Sequence, residues 1–171
     1  MGGTGKVMAK RAGEDTAGAE NALDDDTLSA ELRLTIALVL VARRWRALLD
    51  ESLRGIQQSS ARMEALSALA NTPAPRTQVD IARRLRIEGP TMTRMLDTLS
   101  RAGLVERLPS ATDRRSNHLE LTDKGAQVLA EIGERTEPMR GRLLEGISEA
   151  QIEELNATLR AMLARLDDGL V

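Results

Sequence analysis

The chain predicts a mainly α-helical fold with one small β-hairpin, an α+β arrangement in which helices form the body. Three observations predict it. Apolar residues recur at helical spacing through most of the chain, and only between Leu104 and Leu121 do they shorten to two brief, partly alternating runs. Glycine and proline punctuate the ends of these segments, as at Pro73, Pro75, Gly89-Pro90 and Gly103. The composition is 42% hydrophobic but only 1% aromatic, with one Trp and no Tyr or Phe, so the core is built from Leu, Ile, Val, Ala and Met. At 171 residues, one domain of ordinary size is expected.

Residues 1–25 hold Gly2, Gly3, Gly5, Gly13 and Gly18 among mixed charges and read as a disordered tail ahead of a folded domain over 26–171. They contain no apolar run of signal-peptide length, so export is not expected and the cytoplasm is the expected compartment. The first long helix runs from Leu28 to about Leu53. Within it LTIALVLVA (Leu34–Ala42) is apolar nearly all round. That stretch is far short of the roughly 20 residues a bilayer demands, so no membrane partner is expected. A helix apolar on every side is buried on more than one face, which points to a role in both the core and a subunit interface. Arg43, Arg44, Trp45 and Arg46 follow, either as arginines snorkelling around one core Trp or as a pocket wall. Ser59-Ser60 caps a second helix, Ala61 to about Ala70, with Met63, Leu66 and Leu69 or Ala70 facing inward.

The stretch from Thr77 to Gly125 organises the rest. Thr77 with Asp80 makes a capping-box-like helix start, followed by apolar Val79, Ile81, Ala82 and Leu85. Gly89-Pro90 resets the chain into another helix, since Pro is favoured at the first helical position. There Met92, Met95, Leu96 and Leu99 share one face, and Thr91, Arg94, Thr98 and Arg101 lie opposite. Gly103 closes that helix. Leu104–Leu108 and Asn117–Leu121 read as strands around a tip, Pro109–Ser116, that carries Asp113, Arg114 and Arg115. Two short helices followed by a basic-tipped hairpin make a winged helix–turn–helix, a layout that places its second helix in the major groove of DNA.

Charge supports that reading. Between Arg83 and Arg115 eight arginines face four acids, a net of +4 in a chain whose formal charge is −2. A basic island on an acidic body presents one face to a polyanion. Lys6, Lys10 and Arg11 leave open a loose basic arm toward the same DNA.

After the wing, Thr122-Asp123 starts a helix running toward Leu144, in which Gly133, Pro138 and Gly141 predict a bend or interruption. Ser148 with Gln151 repeats the capping-box pattern. The last helix aligns Ile152, Leu155, Leu159, Met162, Leu166 and Leu170 in a near-heptad stripe. With the over-apolar first helix, this stripe predicts a homodimer.

IEGPTMTRMLDTL (Ile87–Leu99), GLVER (Gly103–Arg107), DRR (Asp113–Arg115) and LTDKG (Leu121–Gly125) resemble the MarR family of bacterial transcription regulators, and more closely its SlyA-like branch. RRWRALLD (Arg43–Asp50) and LLEGISEAQIEEL (Leu143–Leu155) extend the resemblance to residues 28–168. It implies a DNA-binding lobe over residues 57–122 and dimerisation helices over 26–56 and 123–171. SlyA-like wings are more basic just past the tip, where this chain has Asn117 and His118. A shallower salt dependence of binding is the consequence.

The expected DNA contacts follow from residue chemistry and from the resemblance. Arg94, mid-face on the second helix of the motif, suits bidentate pairing with guanine O6 and N7. Thr91 and Thr93 offer short hydroxyls, and Pro90 helps expose a helix start whose N–H groups attract phosphate. Thr77 and Gln78 are candidate phosphate anchors, and Thr98 continues the face. At the tip, the resemblance implies that Asp113 orients an arginine, Arg114, into the minor groove, with Arg115 on phosphate or paired. The partner is then a double-stranded, pseudo-palindromic operator.

The resemblance also implies a small effector, an aromatic carboxylate or aromatic acyl-CoA, in a crevice lined by Trp45, Arg46, Leu49, Arg62, Met63 and Leu66. Arg46 or Arg62 would hold the carboxylate, or both are surface charges. Repression of a nearby operon, released by that ligand, is the expected function. Activation or antirepression without a dedicated ligand, and a protein-interaction winged helix, are the alternatives. With no cysteine and a single histidine, His118, outside any ligand cluster, the chain predicts no metal, no cofactor, no thiol redox sensing and no enzyme.

Overall fold

The computed structural model describes residues 23–109 and 117–169. Its elements are α1 (Ala30–Arg54), α2 (Ser60–Ala70), α3 (Gln78–Leu85), α4 (Gly89–Arg101), β1 (Val105–Pro109), β2 (Asn117–Leu121), α5 (Asp123–Leu143) and α6 (Glu149–Asp167). The fold is mainly helical with one antiparallel hairpin, as the periodicity predicts. Two compact units divide after Leu129, within α5.

In the first unit, α1 begins at Ser29, whose hydroxyl accepts from the Leu32 N–H, and buries Leu40, Leu49 and Leu53. Of the all-round apolar stretch only Leu40 is buried, while Leu34, Val39 and Val41 remain exposed. Asp50 then accepts a 2.6 Å hydrogen bond from the Ser60 N–H at the start of α2. That backbone bond, followed by one from the Ser60 hydroxyl, holds the Asp50 carboxyl below the ordinary carboxylate range. Ala65, Leu66 and Leu69 of α2 are fully enclosed, with Ile81 of α3 and Met92, Leu96 and Leu99 of α4.

Helix α3 starts with the full capping box: the Thr77 hydroxyl receives the Asp80 N–H, and the Asp80 carboxylate receives the Thr77 N–H. Val79, one of the apolar positions of this helix, is exposed. Helix α4 carries Pro90 in its first turn and ends at Gly103, which has φ +71. Gly103 N–H donates to Ser100 and Leu104 N–H to Leu99, the two crossed bonds of a Schellman stop.

The hairpin pairs Val105 with Leu121 at its base and Pro109 with Asn117 toward the tip. A third short segment joins it: Leu119 N–H donates to the Arg76 carbonyl at 2.9 Å, and Thr77 bridges His118. The wing is thereby stitched to the residues that open α3. Of the bend or interruption expected in α5, the interruption does not occur. Pro138 removes one N–H donor from an exposed turn, and the helix continues through it to Leu143. In the second unit, α6 begins at Ser148 with its capping box to Gln151 complete, and buries no residue.

Candidate nucleic-acid interface

The face opposite the core of α4 carries Thr91, Arg94, Thr98 and Arg101, as the spacing predicts. Thr91 and Arg94 are exposed, and within the described residues no hydrogen bond or ion pair engages the side chain of either. A guanidinium with five donors and no protein acceptor is available for a base edge or a phosphate. Pro90 is exposed beside them at the helix start. Thr98 is half-buried and turns back on its own helix, its hydroxyl donating to the Arg94 carbonyl at 2.9 Å. The Arg101 guanidinium folds back similarly, its Nε donating to the Asp97 carbonyl at 3.2 Å.

The remaining predicted contacts on the helices are engaged within the protein. The Thr77 hydroxyl donates to Asp80 at 2.8 Å inside the capping box, so it has no proton left for phosphate. Gln78 Nε2 donates to the Thr93 hydroxyl at 2.8 Å, and that hydroxyl donates to the Gly89 carbonyl at 3.0 Å. Asp113, Arg114 and Arg115 lie outside the described residues.

A family model described as the MarR family matches residues 58–116. The crystal structure of transcriptional regulator PA3341 is 36% identical, covers 79% of this chain and 98% of its own, and superposes with a TM-score of 0.70. The chain belongs to the MarR family. The S. aureus MepR–DNA complex is 26% identical over 81% of this chain and 99% of its own, with a TM-score of 0.72. A mutant E. coli MarR complexed with operator DNA is 25% identical over 81% and 99%, with a TM-score of 0.69.

For this MarR-family chain, the LTDKG block has a physical reason. A Cβ on Gly125 would sit 2.0 Å from the Leu104 carbonyl oxygen, so only glycine lets α5 pass that close to the end of α4. Around it, Thr122 Oγ1 donates to the Gly103 carbonyl at 2.7 Å and Lys124 Nζ to the Ala102 carbonyl at 2.8 Å. These bonds fix where the hairpin returns. Two further residues have no signal in the sequence. Arg107 on β1 forms a 2.6 Å ion pair with Asp97 of α4, and Arg76 Nη1 donates to the Leu69 carbonyl at 2.6 Å.

The predicted effector lining is only partly presented. Leu49 and Leu66 are enclosed in the core of the single chain, so they pack rather than line a crevice. Arg46 pairs with Glu64 at 2.8 and 3.0 Å, and Arg62 donates to the Gln57 carbonyl at 2.9 Å. Trp45 and Met63 are half-buried. Among the described residues no helix is long and apolar enough to cross a membrane, and no group of acidic, His or Cys side chains fits a metal ion.

Proposed function

We propose that this chain is a homodimeric, sequence-specific DNA-binding transcriptional regulator. The observation that carries the reading is the unpartnered Thr91–Arg94 face of α4, polar and basic at its centre, on a helix whose other side is locked into the core. A protein-docking surface would be more apolar there. Two family relatives crystallised on DNA support the same partner. In this reading α4 enters the major groove with Arg94 on guanine, while Asp113, Arg114 and Arg115 serve the minor groove or phosphate.

Two copies would read a pseudo-palindromic operator with half-sites about 34–36 Å apart. A second copy would also cover Leu34, Val39 and Val41 of α1 and Leu155, Leu159 and Leu166 of α6, which one chain leaves in water. The finer reading is a SlyA-like repressor in the cytoplasm, released by an aromatic carboxylate or aromatic acyl-CoA. Such a carboxylate displaces Glu64 from Arg46, or the Gln57 carbonyl from Arg62, to reach a guanidinium.

The test is binding of a labelled duplex from the gene's own upstream region across a salt series, for wild type and Arg94→Ala. Loss of a bidentate base contact weakens specific binding by about 1–3 kcal/mol and leaves binding to scrambled duplex intact. Wild type that binds no duplex at any salt sinks the reading in favour of a protein-interaction module. Aromatic acids and their CoA thioesters, added to the same assay, test the ligand.

A further inference from the structure

Thr93 and Asp97 lie four residues apart and so share one face of α4. At one position the Thr93 hydroxyl receives Gln78 Nε2 at 2.8 Å; at the other the Asp97 carboxylate receives Arg107 Nη2 at 2.6 Å. Gln78 opens α3, and Arg107 sits mid-strand in β1, opposite Leu119. Gln78, Thr93 and Arg107 line one groove of about 330 Å³, floored in part by Leu119. A single face of α4 is therefore tied to the preceding helix and to the wing at once.

The hydrogen bonds use up the one proton at Thr93. Its single hydroxyl proton goes to the Gly89 carbonyl at 3.0 Å, so toward Gln78 it acts as acceptor and the amide nitrogen must face it. Nothing remains to donate to a phosphate oxygen. The Arg107–Asp97 pair is partly exposed, with side chains 36% and 47% accessible, and pairs of that kind add little stability. What this pair supplies is direction.

We infer that Thr93 and Asp97 are positioning residues, a two-point tie that sets the angle of α4 against α3 and the wing base. The tie lets Arg94 and the wing tip meet one stretch of DNA together. The inference rests on the DNA-binding reading above and contradicts the expectation that Thr93 touches DNA.

The experiment compares wild type with Thr93→Val, Thr93→Ser, Gln78→Ala, Asp97→Asn and the Gln78→Ala/Thr93→Val double variant. Binding is measured on the upstream duplex and on a scrambled duplex across a salt series, with thermal melts alongside. Thr93→Val is expected to lose about fivefold on the upstream duplex, the worth of one hydrogen bond. Its binding to the scrambled duplex stays unchanged because no phosphate contact is lost. Thr93→Ser restores binding, and the double variant is no weaker than Thr93→Val alone.

Asp97→Asn separates the tie from simple charge. Removing an acid beside a polyanion tightens scrambled binding; the tie requires that the same change weaken binding to the upstream duplex. Wild-type affinity in Thr93→Val, an equal loss on both duplexes in Thr93→Val, or equal tightening on both duplexes in Asp97→Asn overturns the inference. Wild type with no preference for the upstream duplex removes the DNA reading instead. The melts of the Gln78–Thr93 cycle then decide, non-additive losses supporting the tie and additive losses overturning it.

Discussion

Helices α4 and α6 are both amphipathic, and they meet opposite fates within one chain. In α4 the apolar side chains Met92, Leu96 and Leu99 are completely enclosed, and the polar face is left over. In α6 nothing is buried, and Leu155, Leu159 and Leu166 stand 52%, 39% and 59% exposed along the stripe. The first helix has found its apolar partners in its own fold, so what it exposes is available for recognition. The second keeps its apolar face in water, at a cost that only another surface removes.

The largest expected effect tests this contrast directly. Leu96→Ala opens a cavity in the core and costs about 2–5 kcal/mol, at any protein concentration. Leu159→Ala on an unassociated chain costs within about 0.5 kcal/mol. If α6 is a subunit interface, the effect of Leu159→Ala appears as an unfolding midpoint that falls on dilution, and Leu159→Lys yields monomers in sedimentation. Equal, concentration-independent losses at Leu96 and Leu159 would abolish the distinction.

Next in size is the junction between hairpin and α5. Gly125→Ala places a methyl against the Leu104 carbonyl, which is backbone and cannot rotate away. Overpacking of this kind costs about 1–3 kcal/mol. A chemical-denaturation midpoint equal to wild type would mean that α5 slides away from Leu104 freely. Gly133→Ala is the control, because its Cβ meets nothing within 4 Å, and it should stabilise the exposed helix slightly.

What was legible in the sequence was mostly local. Thr77 with Asp80 and Ser148 with Gln151 are pairs three residues apart, and both capping boxes form with both of their bonds. Gly103 ends α4 because the stop needs a positive φ, which is a property of one residue. The illegible part joins residues distant in sequence. Arg107 meets Asp97, Arg76 reaches back to Leu69, and Gly125 passes Leu104; no periodicity encodes these pairings. Short helices also blur the pattern. In eight-residue α3, Val79 and Ile81 are both apolar positions, and only Ile81 is enclosed. On the candidate site, residue type singled out Arg94, whose side chain is exposed and unpartnered, but could not tell that Thr77 and Thr93 have already given their protons to Asp80 and Gly89.

The smallest expected effect distinguishes the two capping boxes, one on each side of the comparison. At α3 the N3 residue is Asp80, whose carboxyl is held below its usual range by the Thr77 N–H and then by the Thr77 hydroxyl. At α6 the same place is taken by Gln151, which does not titrate. A carboxyl with a depressed folded pKa contributes stability that is complete above its unfolded value near 3.9 and is lost as pH falls through the folded value. Acid therefore loosens the start of α3, and with it the joint between α2 and the wing, while the start of α6 keeps its cap. Asp50, held low by Ser60, adds to the loss in the first unit. Hydrogen exchange of the amides at residues 77–80 should speed up relative to those at residues 148–151 as pH falls below about 4, after correction for intrinsic rates. Asp80→Asn should flatten that difference, and identical pH profiles at the two helix starts in wild type would show that the cap charge contributes nothing.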